Sequence, residues 1–463
     1  MHDPYRMKLV LFSNTYPYGM GETFLADEVP YLAEAFTSIT VYPLYKPEGE
    51  QRTTPPKVTV ESPLLPFDHK DKGGFLRYGL LNTAPFFFAA KEFFRALFGT
   101  GIKLGAHPNS TQKKAGLGKR LHIFFNYFLM LRTILGDRKK MNLIARECAF
   151  ADKVYFYWGD KSAMLIPFLK KKLKKLTDNP PLFCVRFHGS DLYEGAKGYL
   201  PFRDKFFSAV DYAIPVSYDG MNYIKSNYSP GPRIMEVWHL GSAHHDENFH
   251  NFIAEENGDV PQKTDGTFNI VGCANVIPLK RIGLVVSALQ MIAKDAEACF
   301  KIRERGFDKI VYTHFGGGNL LGEIRREAQN CNAENHIDLS FDFRGARPHE
   351  EVLKHYRENG ADLFILASRS EGIPVSIMEA MSYGIPVIAT NVGGVKELFR
   401  NCPVGYIVDA DITAEDLKNQ IIEYVLLPDA IHNQLKSNCY INWKEDWDAQ
   451  TNYTRFAEEL IGV

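Results

Sequence analysis

Cysteine is scarce and scattered: the chain has seven, at positions 148, 184, 273, 299, 331, 402 and 439, with no C-x-x-C pair and no zinc-finger spacing. That pattern excludes a disulfide scaffold and a cysteine-based zinc module, and it reads as core thiols in a reducing compartment. Net charge is also lacking, at -1, so no global field draws the chain to nucleic acid. The most apolar stretch, Phe75 to Phe98, is interrupted by Arg77, Lys91, Glu92 and Arg95, well before the roughly 20 residues needed to cross a bilayer. The start, Met1 to Arg6, has no basic-then-apolar signal region and runs straight into strand-like Lys8 to Phe12, which predicts a cytoplasmic protein. Internal repeats of fixed period are absent as well.

What is present is an ordinary globular balance, 45% apolar and 24% charged over 463 residues, enough for two domains. Short β-rich runs alternate with helical segments, the pattern of parallel sheets covered by helices on both faces. The first half offers strands at Lys8 to Phe12, Ile39 to Leu44, Val154 to Tyr157, Phe183 to Phe187, Tyr212 to Val216 and Ile234 to Trp238. A helical insertion, 74–150, sits between the second and third. Polar, aperiodic sequence from Ala243 to Gly266 predicts the interdomain linker, separating domains at 1–245 and 266–440. The second half offers strands at Phe268 to Ala274, Ile310 to Phe315, Ile337 to Phe343, Leu363 to Ala367, Val387 to Thr390 and Gly405 to Val408. A closing helix over 447–461 is expected to pack back on the first domain. In doubly wound sheets ligands bind at the carboxyl ends of the strands, so the strand-to-helix loops are where chemistry belongs.

The most informative segment joins the strand ending near Ala367 to a helix starting near Pro374. It places Glu371 in the loop and Glu379 about one turn into the helix, with Gly384 and Pro386 ending that helix. A carboxylate accepts two hydrogen bonds at once and so suits a vicinal diol, such as a ribose 2′/3′ pair or neighbouring sugar hydroxyls. The run Ser370-Glu-Gly-Ile-Pro374, Met378-Glu-Ala-Met381, Gly384-Ile-Pro-Val-Ile-Ala-Thr390 and Gly393-Gly394 resembles the retaining glycosyltransferases of family four (the group 1 type). The resemblance implies the GT-B fold, an α/β architecture of two Rossmann-like doubly wound domains facing across a cleft. It implies that Glu379 holds the donor ribose, and that Glu371, with Gly372 and Ile373, holds the transferred sugar.

Other loops fit the same picture. Asn275, Lys280 and Arg281 lie between a strand and a helix, where a helix N-terminus alone gives a diphosphate only about 0.3–1 kcal/mol, so Lys280 is the expected cation. The family often has Arg where Asn275 stands and Gly where Arg281 stands; either Arg281 takes over a phosphate contact or donor binding is weaker. Gly316-Gly317-Gly318 allows either backbone approach to a ligand or a plain tight turn, with Gly317 assigned to the donor. Arg344 resembles the loop against which the family holds the base. Asn14 to Phe24 resembles the glycine loop near the diphosphate and acceptor, giving Gly21 a donor contact and Glu22 an acceptor contact, with helix capping near Thr23 the bland alternative. His188 resembles the histidine beside the donor sugar, and Asp191 follows it as an acceptor contact.

The resemblance thus implies transfer of a hexose-type sugar from a nucleoside diphosphate sugar, UDP favoured over GDP, to a hydroxyl of a glycan or lipid-linked glycan in cell-surface polysaccharide synthesis. The assigned catalytic residues are His188, Glu371 and Lys280. No cofactor and no metal are expected; Asp409-Ala-Asp411 reads as a helix-entry turn. A GT-B sugar-nucleotide epimerase and a catalytically inert nucleotide-sugar-binding subunit remain as alternatives. Basic, apolar segments around Lys170 to Lys175 and Lys139-Lys140 fit either a peripheral contact with the inner membrane face or a solvated charged surface.

Overall fold

The computed structural model describes residues 7–19, 21–47, 50–65, 89–102, 115–244, 266–329 and 335–463. Among these, two compact units appear: one runs to Leu240 and includes Ala449–Val463, and the other is Gly241–Asp448. Most of the expected linker, and parts of the expected insertion, lie outside the described residues.

The first unit is built on a parallel sheet of order β3-β2-β1-β4-β5-β6-β7. Its strands are β1 (Lys8–Ser13), β2 (Ser38–Pro43), β3 (Val58–Val60), β4 (Lys153–Phe156), β5 (Leu182–Phe187), β6 (Tyr212–Pro215) and β7 (Ile234–Met235). Side-chain alternation divides the core. Leu9, Leu11, Tyr155 and Cys184 face one side, under α1 (Thr23–Ala35) and the last helix of the chain (Ala449–Gly462). Val10, Phe12, Val154, Phe156, Phe183 and Val185 face the other, under α2 (Ala90–Phe98), α3 (Leu117–Gly136), α4 (Arg138–Ala149) and α5 (Ile166–Leu173). Short helices α6 (Gly189–Leu192), α7 (Glu194–Lys197) and α8 (Arg203–Phe207) precede α9 (Tyr218–Asn227). The expected strand at Ile234 to Trp238 forms as two residues only, pairing with Tyr212 and Ala213, while the edge strand β3 has no counterpart in the sequence reading.

The second unit has a parallel sheet of order β10-β9-β8-β11-β12-β13. Its strands are β8 (Thr267–Cys273), β9 (Lys309–Phe315), β10 (Asp338–Gly345), β11 (Leu363–Leu366), β12 (Val387–Thr390) and β13 (Gly405–Val408). Helices α10 (Ile282–Lys294), α11 (Ala296–Glu304), α12 (Leu321–Gln329), α13 (His349–Asn359), α14 (Val375–Ser382), α15 (Ala414–Val425) and α16 (Asp429–Asp446) cover it, and the final helix becomes α17. On α10 the helical period buries Ile282, Val285, Val286, Leu289 and Ile292, each contributing roughly 1.5–3 kcal/mol. Both sheets reverse their strand order once beside the first strand of the unit, between β1 and β4 and between β8 and β11. A crevice at the carboxyl ends of the strands forms at such a reversal.

Candidate functional site

In the second unit the loops leaving β8 and β11 meet at that reversal. The Lys280 ammonium lies 2.5 Å from Glu371 Oε1, and both side chains are largely buried. Arg369 N donates to Leu279 O at 2.8 Å, tying the two loops together through the backbone. Arg281 takes a different path. Its backbone is left-handed, at φ 49° and ψ 42°, the conformation glycine adopts at no cost and the reason a glycine suits this position. Its guanidinium donates to the carbonyls of Ala367 at 2.6 Å and Ala410 at 2.8 Å. Burial, then the neighbouring Arg369, lowers its pKa. In the structure Arg281 is thus a strut between backbone segments, a role that neither expectation for it named. Asn275 is exposed, with its carbonyl accepting from Ile277 N.

Helix α14 is buried along nearly its whole length, and Gly384 takes φ 63° just past its end. Glu379, 4% exposed, receives a 2.8 Å hydrogen bond from His349 Nε2 at the start of α13. The Glu371 loop is packed closely enough that a Cβ at Gly393 would stand 1.9 Å from the Glu371 carbonyl oxygen; Gly394 N also donates to Gly372 O. Ile373 is buried beside it. The glycine run after β9 serves a similar end. A Cβ at Gly316 would lie 1.9 Å from Ala274 O and one at Gly318 2.2 Å from Val276 O, while Gly317 O accepts from Val276 N. Here glycine lets the β9 loop pass against the β8 loop. Arg344 is exposed and its guanidinium sits 2.5 Å from Asp342. Asp409 and Asp411 lie in the turn before α15, with Asp409 Oδ1 accepting from Asp411 N and the helix capped by Thr413 and Asp416. Among the described residues no group of three or more metal-ligating side chains gathers.

In the first unit the reversal brings together the loops after β1 and β4. Glu22 stands at the α1 N-cap with φ 54°. Its carboxylate accepts from the backbone N–H groups of Asn14, Thr15 and Tyr16, the Thr15 hydroxyl and Trp158 Nε1, at 2.5–2.9 Å. It folds its own loop and locks it to the β4 loop, using acceptor capacity that the sequence reading assigned to an acceptor hydroxyl. Capping by the Thr23 side chain does not occur. Gly21 is exposed, and its carbonyl accepts from Arg52.

His188 packs against the rings of Tyr157 and Trp158, at 4.9 and 4.4 Å. Its Nε2 is 3.0 Å from Tyr157 O; a carbonyl only accepts, so Nε2 carries the proton. Burial, with the Arg186 charge added, lowers its pKa to about 3. Asp191, 1% exposed, accepts from His188 N at 2.6 Å and Gly159 N at 2.5 Å. Burial, then the charge of Asp160, pushes it up to about 8. It is a buried fastener of the β5 and β4 loops, its carboxylate taken up by backbone N–H groups and not by the acceptor contact expected for it. The sequence reading does not single out Trp158 or His349; the strand β4 that ends two residues before the first, and the helix start that holds the second, are the available signals.

Comparison with known proteins bears on both units. Residues 260–441 match the family model for glycosyl transferases group 1. The chain is 28% identical over 144 residues to the amylovoran biosynthesis glycosyltransferase AmsK of Erwinia amylovora, covering 30% of this chain and 31% of that one. It is 25% identical over 307 residues to the putative colanic acid biosynthesis glycosyltransferase WcaL of Salmonella typhimurium, covering 63% and 67%. It thus spans about a third of the length of AmsK. Among solved structures, Anabaena Alr3699/HepE in complex with UDP superposes with a TM-score of 0.59 at 12% identity, over 99% of this chain and 100% of that one. Residues 260–441 thus resemble the group 1 glycosyltransferases, and the two Rossmann-like units have the GT-B fold.

Proposed function

We propose that this chain transfers a hexose-type residue from a nucleoside diphosphate sugar, UDP-linked in preference to GDP-linked, to a hydroxyl of a glycan or lipid-linked glycan, with retention at the anomeric carbon. The observation that carries this reading is the Lys280–Glu371 pair, 2.5 Å apart where the β8 and β11 loops converge. A cation and a diol-binding carboxylate side by side suit a ligand with a diphosphate at one end and a sugar at the other. Glu379, buried on α14, supplies the further carboxylate for the ribose. AmsK and WcaL carry names that place them in polysaccharide biosynthesis, and HepE binds UDP; these support a surface polysaccharide as the setting and UDP as the base.

In the proposed reaction Glu371 takes the sugar hydroxyls while Lys280 turns to the diphosphate. The bond from the anomeric carbon to the phosphate oxygen breaks, negative charge grows on the departing diphosphate, and Lys280 with backbone N–H groups near Gly372 stabilises it. The acceptor hydroxyl attacks from the same face and gives its proton to the leaving phosphate. His188, neutral, contributes through hydrogen bonding rather than charge. The protein's main contribution is electrostatic, and the reaction proceeds without a divalent ion.

Thermal unfolding with UDP and with GDP, each with and without EDTA, tests the reading in the wild type and Glu379→Ala. A native-state ligand at 100 times its Kd stabilises by about 2.7 kcal/mol. The expected result is an upward shift with UDP that survives EDTA and vanishes in the variant. No shift with either nucleotide would overturn the donor-site assignment, and loss of the shift in EDTA would overturn metal independence.

A further inference from the structure

The Glu379 carboxylate is removed from water on α14, so its orientation depends on protein partners. Among the described residues its side chain has one hydrogen-bonding neighbour, His349 Nε2 at 2.8 Å. A glutamate carboxylate rotates easily about its last torsion, which is broad and nearly two-fold. A donor fixed on Oε1 therefore sets where Oε2 points.

His349 is itself held in place by the helix it begins. Pro348 stands at the N-cap of α13, and the helix buries Val352, Leu353 and Tyr356. Tyr356, seven residues beyond His349 on the same helical face, stacks edge-on against Tyr383 just past α14, with ring centroids 5.8 Å apart. Its buried hydroxyl has no hydrogen-bond partner. Burial, then the charges of Cys273 and Glu379, hold its pKa well above the ordinary phenol range. Helix α13 thus presents two polar groups toward the Glu379 side of α14, one of them bonded to the carboxylate. The His349 side chain keeps 29% of its surface exposed, so it stands at the rim of the site and not in the core.

We propose that His349 is a positioning residue for nucleotide binding: by donating to Oε1 it turns the Glu379 carboxylate so that the other oxygen meets the ribose hydroxyls. This rests on the reading of Glu379 as the ribose ligand. It adds a residue that no motif of the sequence marks.

The test is calorimetric binding of UDP and 2′-deoxy-UDP, with the guanosine pair run in parallel, to the wild-type chain, His349→Phe, His349→Gln and Glu379→Gln. The wild type is expected to prefer the ribonucleotide. His349→Phe should weaken UDP binding about tenfold, the range of one charge-assisted hydrogen bond, while changing 2′-deoxy-UDP binding less than about twofold. His349→Gln, whose amide also donates, should recover most of the loss. In a Glu379→Gln background His349→Phe should have no further effect. A purely structural role would weaken both nucleotides alike and leave the ratio unchanged, which would overturn the proposal. Retained discrimination in His349→Phe would overturn it too, with the Glu379 assignment intact. A wild type that binds both nucleotides equally would instead sink the ribose reading, and the role of His349 with it. If His349→Phe does not fold, His349→Ala removes the same donor and gives the same comparison.

Discussion

Of two adjacent cations, Lys280 ends in an ion pair with Glu371, whereas Arg281 spends its guanidinium on the carbonyls of Ala367 and Ala410. Their variants should separate chemistry from scaffolding. Lys280→Ala is expected to lower turnover by about 10²-fold or more, the scale seen when one preorganised donor to a developing oxyanion is removed. Its unfolding midpoint in urea should fall as well, since Glu371 is left largely buried without its cation, and UDP should raise that midpoint less than in the wild type. Arg281→Gly relieves a left-handed backbone that costs roughly 1–2 kcal/mol but loses two charge-assisted bonds of about 1.5–3 kcal/mol each. The bonds win: a net destabilisation of about 2 kcal/mol is expected, with UDP affinity little changed. A Lys280→Ala enzyme of near-normal turnover would discard its role, and an Arg281→Gly protein of normal stability and lost UDP affinity would restore Arg281 to the phosphate. The sequence carried the identity of these residues but not their division of labour. Nothing in the run Lys280-Arg281-Ile282 states that position 281 is left-handed, because that depends on how the 3₁₀ turn at Pro278–Lys280 hands over to α10.

At the scale of elements, His188 and Asp191 show how a strand end fixes a helix start. Asp191 on α6 accepts from His188 N and Gly159 N, and the imidazole is buried against two aromatic rings. An imidazole whose folded pKa is lowered to about 3 favours its neutral form in the native state. Unfolding releases a group of ordinary pKa, about 6.5. The stability it contributes is therefore complete above about pH 6.5 and is lost as pH falls toward 3. Urea midpoints between pH 4 and 7 should fall more steeply for the wild type than for His188→Gln; parallel slopes would show that another group dominates acid unfolding. Elements differ in how openly the sequence declares them. Val387–Thr390 and Leu363–Leu366 are buried along their whole length, and such central parallel strands read as unbroken apolar runs. Val58–Val60 is a three-residue edge strand amid polar sequence, too short to show a period. The Glu22 staple was illegible for another reason: its five donors come from the β1 loop and from Trp158, 136 residues away.

For the whole molecule, the chain finishes by returning to the first unit, and one contact shows what the return accomplishes. Phe456 of α17 is fully buried, 4.2 Å under the Arg186 guanidinium and next to Tyr155 and Trp238. Arg186 is also fully buried; it pairs with Glu28 at 3.2 Å, and Tyr155 bridges the two. A buried ion pair of this kind offsets its desolvation only when its geometry is closely held. The aromatic face from α17 therefore closes the side of the sheet where that pair lies. Phe456→Ala is expected to cost about 3–5 kcal/mol through the cavity and the lost cation–aromatic contact. Because every partner of Phe456 belongs to the first unit while Lys280, Glu371 and Glu379 belong to the second, the loss should fall on the first unit alone. Scanning calorimetry with and without UDP separates the two: the variant should lower a transition that UDP does not raise, with the Kd for UDP within about twofold of wild type. A variant whose UDP affinity drops tenfold would show instead that the closing helix governs the donor loops.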